Sequence, residues 1–104
     1  MTVISIYAVF ADQAEAERIG RVMIEERLAA CINILAPVHS IYRWEGAVQT
    51  SDEVAAILKT TERNAKVAIA RIAELHSYEV PCVVTWPIDA IFGPYAKWVQ
   101  DSCD

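Results

Sequence analysis

The sequence predicts an α+β fold of ferredoxin-like order, β-α-β-β-α-β with an additional C-terminal helix. Three observations carry that prediction. A β-branched and aromatic run opens the chain, too short and too stiff at χ1 for a helix. Two stretches with apolar residues at helical spacing each follow a residue suited to an N-cap. Between them lie two strand-like segments of alternating character, the arrangement of a split βαβ unit. With 104 residues the chain is expected to form one domain over residues 1–104, since a domain averages roughly 150 residues.

Thr2 to Phe10 is the opening run, read as a central strand bounded by Asp12. Asp12 followed three residues later by Glu15 is a capping-box variant. The first helix then carries Ala16, Ile19, Val22 and Met23 on one stripe, with Glu15, Arg18, Glu25 and Glu26 largely outside it, and should end near Leu28 or Ala29. From Cys31 the pattern is β-like through Leu35, breaks at Pro37, which marks a bulge, a bend or an edge, and resumes from Val38 to Gly46. Period two puts Tyr42 and Trp44 on one face of this segment. Gln49 to Asp52 is read as a turn, after which Glu53 to Thr60 forms the third strand. There Val54, Ala56 and Leu58 point one way, and Glu53, Ala55, Ile57 and Lys59 the other.

A second helix is predicted from about Glu62 to Leu75 with Thr61 as N-cap. Pro81 leads into a fourth strand, Cys82 to Trp86, stopped by Pro87. Gly93-Pro94 then introduces a short terminal helix from Tyr95 to about Ser102, with Tyr95, Trp98 and Val99 on its apolar face.

Composition narrows the function classes. Hydrophobic residues make up 55% of the chain, high for a small soluble monomer, and three tryptophans and four tyrosines supply amphipathic surface of the kind enriched in interfaces. Some of that surface is expected to be buried against a second copy. The net charge is −5 and the nine Lys and Arg residues are scattered, which excludes a phosphate-tracking groove and hence nucleic acid as a partner. No apolar run approaches the roughly 18 residues of a membrane span, and the N-terminus lacks the pattern of a signal peptide. Cys31, Cys82 and Cys103 are odd in number with no CxxC spacing, as expected of reduced thiols in the cytoplasm, and Cys103 is not placed for prenylation.

The densest titratable segment is His76-Ser77-Tyr78-Glu79-Val80-Pro81, at the exit of the second helix. Taken alone it reads first as a helix C-cap, with His76 toward the last carbonyls, and second as a ligand-facing junction. Cys31, His76 and Cys82 are the metal-ligand types in question; thiolate and imidazole together suit copper or zinc. None of them shares a recognised spacing within one element, and a Cys–His nucleophile has no orienting group fixed by sequence. No glycine-rich phosphate loop exists, and Glu45 with Lys59 reads as a cross-strand charge pair.

Several stretches together resemble the CutA-type divalent-cation tolerance proteins: Glu26-Arg27-Leu28-Ala29-Ala30-Cys31-Ile32-Asn33, Ser40 to Gly46, Leu58-Lys59-Thr60, His76 to Pro81, Pro87-Ile88, and Gly93 to Trp98. The resemblance runs over essentially the whole chain in the right order. It implies a homotrimer similar in architecture to PII signalling proteins, a role in tolerance to copper and other divalent cations, no catalytic activity, and no obligatory cofactor beyond copper or another divalent metal as ligand. A polar cluster at the subunit boundary would map onto Glu45, Lys59, His76, Tyr78 and Glu79, flanked by Trp44, Tyr95 and Trp98. Cys31 matches a recurrent cysteine at the start of the second strand. Two positions depart from the family pattern: Ser77 stands where proline is usual, and Cys82 where an acidic residue follows Val-Pro. The second exchange favours softer metals. The rival implications are a sensor of a small anionic metabolite bound through Lys59, and a purely structural trimeric module.

Overall fold

In a computed structural model, which describes residues 2–104, the chain forms a four-stranded antiparallel sheet with three helices. The elements are β1 (Val3–Phe10), α1 (Gln13–Glu25), β2 (Cys31–Trp44), β3 (Ala47–Thr61), a 3-10 turn (Glu62–Asn64), α2 (Ala65–Leu75), β4 (Val83–Pro87) and α3 (Gly93–Ser102). The strand order is β2-β3-β1-β4, so β1 is central, as its apolar composition requires.

The alternation of β1 and β3 divides the sheet into two faces. Ile6, Ala8 and Phe10 of β1 and Val54, Ala56 and Leu58 of β3 pack against Ala16, Ile19 and Met23 of α1 and Ala68 and Ile72 of α2. This is the main core. The opposite face carries Tyr7 and Val9, Glu53, Ala55 and Ile57, and Tyr42 and Trp44, as the register shows. Only one end of it is covered within the chain, where α3 places Val99 and the following Cys103 against Val3 and Ala30.

Three element boundaries differ from expectation, each for a local reason. The first helix stops at Glu25 because Arg27 adopts φ 61°. The Leu28 amide donates to the Met23 carbonyl and the Arg27 amide to that of Ile24, a Schellman closure with arginine in the place glycine usually takes. Gln49 to Asp52 is strand, not turn; the β2–β3 connection is the two residues Glu45 and Gly46, with φ 49° and 81°, the positive pair of a primed hairpin turn. Pro37 falls, as expected, at a bulge-like irregularity, between Ile34 and Pro37, within the continuous β2. The second helix begins as a 3-10 turn, and the Thr61 hydroxyl makes no capping bond. Beyond the bulge, β2 and β3 run on as a two-stranded ribbon, which stretches the molecule to 45 Å along its long axis.

Candidate functional site

The capping carboxyl that the sequence assigns to the outer side of α1 is instead buried and organises the junction. Asp12 Oδ1 accepts the Glu15 amide at 2.8 Å, while Glu15 Oε1 accepts the Ala11 amide and its Oε2 the Ser77 amide, each at 3.0 Å. Burial pushes the Glu15 carboxyl up, but the hydrogen bonds from Ser77 and Ala11 and the nearby His76 outweigh it and leave its pKa lowered. One carboxylate therefore ties the start of α1 to the exit of α2.

His76 is the C-cap residue of α2, yet its ring turns away from that helix. Its side chain is fully buried, stacked on Phe10 at 5.4 Å, with Nε2 2.8 Å from the Val9 carbonyl oxygen. A carbonyl only accepts, so Nε2 carries the proton and Nδ1 is left to accept the Tyr78 amide at 3.0 Å. Both nitrogens are thus used within the chain. The imidazole positions the segment after it and presents no free nitrogen to a ligand.

What that segment builds is a cleft on the open face of the sheet, of about 610 Å³. Tyr7 and Val9 form its floor; Ser40, Tyr42 and Trp44 of β2 and Gln49 and Glu53 of β3 form one wall; Tyr78 to Val80 and Cys82 form the other. Tyr7 is held by stacking on Trp86 at a centroid distance of 4.8 Å. Glu53 is only 8% exposed, and its Oε2 accepts the Tyr78 hydroxyl at 2.9 Å. Burial, with the Glu53 carboxylate second, pushes the Tyr78 phenol up to about 12. The same two causes, in the same order, raise the Cys82 thiol, which keeps it protonated at neutral pH.

The residues expected from sequence divide into three places. Trp44, Tyr78, Glu79 and Cys82 line the cleft. Lys59, Cys31, Tyr95 and Trp98 lie at the other end of the same face: Cys31 pairs with Lys59 in the ladder, its Sγ is 3.4 Å from the Tyr95 hydroxyl, and Tyr95 stacks on Trp98. Burial and then Cys31 push the Tyr95 phenol up to about 12. Lys59 lies six positions along β3 from Glu53, roughly 20 Å of strand. Glu45 sits in the hairpin turn, on the order of 40 Å of strand from Lys59, so the expected cross-strand pair does not form within one chain.

The expected metal set of Cys31, His76 and Cys82 is likewise not assembled in one chain. Among the described residues no three His, Cys, Asp or Glu side chains converge as metal ligands. Cys82 is exposed, and Cys31 is half-buried. Sequence reasoning passed over Tyr7, Tyr42, Gln49 and above all Glu53 as cleft residues. The signal for Glu53 was its alternation with Ala55 and Ile57, which sets a carboxylate on the same strand face as two apolar side chains.

Comparison with known proteins agrees over the full length. The family model described as CutA1 divalent ion tolerance protein matches residues 4–102. The divalent-cation tolerance protein CutA of Thermotoga maritima is 35% identical over 99 residues, which cover 95% of this chain and 97% of that protein. The crystal structure of CutA from Xylella fastidiosa superimposes with a TM-score of 0.95 at 33% identity, covering all of both chains. The structure of a periplasmic divalent cation tolerance protein CutA from Archaeoglobus fulgidus gives 0.93 at 32% identity, covering 96% of this chain and 97% of that one. The chain belongs to the CutA1 divalent ion tolerance family.

Proposed function

We propose that this protein is a homotrimeric, non-enzymatic binding protein of divalent-metal tolerance whose ligand occupies the cleft between the β2–β3 ribbon and residues 78–82. One observation carries the reading. The cleft presents the Glu53 and Glu79 carboxylates and the Cys82 thiol, and no lysine or arginine lines it. Such a lining attracts cations and repels anions. The sulfur directs the choice of metal toward copper, and a metal bound there displaces the thiol proton.

Assembly supports the same reading. A single chain offers too few converging ligands, so a metal site is completed by a second copy. Ile41 and Val48, 68% and 65% exposed on the ribbon, give that copy apolar surface to cover. The strand order 2-3-1-4 with α1 and α2 on one face fits the ferredoxin-like arrangement and its PII-like trimers. Three free thiols suit a reducing compartment such as the cytoplasm. The alternative, an anionic metabolite held by Lys59, is less well supported, because Lys59 lies at the far end of the sheet face from the cleft.

Calorimetric titration of copper(II) and zinc(II) into the intact oligomer tests the proposal. Wild type is expected to bind copper saturably, and a Glu79→Gln/Cys82→Ser double variant at least about tenfold more weakly, the equivalent of one lost charge-assisted contact. Equal binding by both proteins would remove the metal from this cleft.

A further inference from the structure

One buried titratable group stands outside the chemistry proposed for the cleft, and its hydrogen bonds leave no room for a second proton. The His76 side chain has no exposed surface. With Nε2–H on the Val9 carbonyl, Nδ1 holds the Tyr78 amide through its only lone pair. A proton taken up by the ring goes to Nδ1 and turns that acceptor into a donor facing an N–H. The Tyr78 amide bond and the imidazolium therefore exclude each other.

The surroundings decide which of the two gives way. From α1, Glu15 Oε1 lies 3.6 Å from Nε2, and Arg18 stands 3.8 Å from the other carboxylate oxygen. From β1, the Phe10 ring is stacked on the imidazole and the Val9 carbonyl accepts from it. From the segment after α2, the Tyr78 ring lies 4.8 Å away, its hydroxyl on Glu53. The carboxylate, the two rings and the carbonyl all favour a cation, and Arg18 opposes it only from beyond the carboxylate. The charged ring keeps its slot, and the Tyr78 amide is the group that leaves.

The chain there is free to answer. Residues 78–81 belong to neither α2 nor β4. They hang between two anchors, the Ser77 amide on Glu15 and the Cys82 carbonyl, which accepts the Val9 amide at 3.2 Å. Turning the Ser77–Tyr78 peptide swings its carbonyl toward the new N–H. The same turn moves the backbone from which Tyr78 reaches Glu53.

We infer that His76 is a proton-operated latch on the wall of the cleft: a proton on Nδ1 releases the Tyr78 amide, and residues 78–81 swing away from Glu53 between their two anchors. Its effect on binding rests on the reading of the cleft as the ligand site; the movement itself does not. The open form holds one proton more than the closed form, so falling pH favours it.

The intact oligomer is followed by NMR, with chelator present, between about pH 8 and pH 5, where imidazoles change charge. Ring nitrogen shifts report the His76 proton, and hydrogen exchange reports the protection of single amides. Tyr78 protection is expected to fall at least about tenfold as Nδ1 gains its proton, while the Ala11 amide, held by Glu15, keeps its own. His76→Asn, which retains an acceptor near Nδ1 and cannot take up a proton, should show no such fall. Protonation of the ring with Tyr78 still protected overturns the inference. So does a ring that stays neutral across the range, or a parallel loss at Ala11, the mark of general unfolding. These readings are made on wild type and hold whether or not the variant folds. With chelator removed, copper affinity should fall several-fold more at the acid end of the range in wild type than in His76→Asn. Saturable copper binding without Tyr78 release sinks the latch alone; Tyr78 release in a protein that binds no copper sinks the metal reading alone.

Discussion

The two faces of the same strands do different work. On β1 and β3 the residues Ile6, Ala8, Ala56 and Leu58 have no exposed surface and belong to one cluster of aliphatic and aromatic side chains. One residue along, Tyr7 and Glu53 face a cleft that is aromatic, acidic and open. Period-two geometry lets one stretch of chain hold both chemistries without added length. The first face contributes burial at about 25 cal/mol per Å². The second gives up part of that burial and keeps an ionisable group at an open cleft.

The contrast is sharpest at Leu58. Truncation to alanine removes a fully buried side chain from the centre of the helix-facing core, and the expected loss is about 2–5 kcal/mol, read as a lower denaturation midpoint with an unchanged m-value. A loss below about 1 kcal/mol would mean that this face is no more tightly packed than the other.

Glu15 joins the two faces, since it holds Ser77 and so sets the segment that walls the cleft. Its folded pKa lies below the usual 4.5, so the carboxylate contributes stability above that pH and loses it as pH falls through the folded value. Glu15→Gln is expected to cost about 1–3 kcal/mol near neutral pH, with the gap to wild type closing below pH 4.5. Chemical denaturation across that range measures it. A gap independent of pH would show that the bonds, not the charge, are what the site uses.

The smallest effect belongs to the cleft itself. Tyr78 and Tyr95 should both ionise near pH 12, above the ordinary 10. A phenol held neutral in the fold adds stability below pH 10 that is lost as pH rises toward 12. In a spectrophotometric titration Tyr78→Phe should lose a late-titrating tyrosine, at a cost of about 1 kcal/mol in stability. An unchanged late titration in the variant would break the assignment of that shift to Tyr78.

Much of the architecture was legible because periodicity is local. The alternation of β3, the stripes of both helices and the central place of β1 follow from side-chain spacing alone. The missed turn has an equally physical cause. Gln49 to Asp52 is polar because the ribbon is solvated on that stretch, whereas Glu45 accepts a left-handed φ that its side chain does not advertise. Arg27 hides the end of α1 in the same way. The cleft was half legible. Tyr78, Glu79, Cys82 and Trp44 stood out by chemistry, but the role of His76 depended on which nitrogen the Val9 carbonyl claims, and that contact spans 67 positions. Sequence grouped Lys59 with Glu45; register separates them.

The tight hairpin turn also bears on how the chain reaches its native state. Its two loop residues close the shortest possible connection, so β2 and β3 can zip outward from Trp44 and Ala47 with little loop entropy to overcome, on the microsecond scale of isolated hairpins. The β1–β3 and β1–β4 ladders join positions more than forty residues apart and must wait for long closures. The ribbon, the most solvent-exposed part of the finished sheet, is therefore the piece best placed to form first.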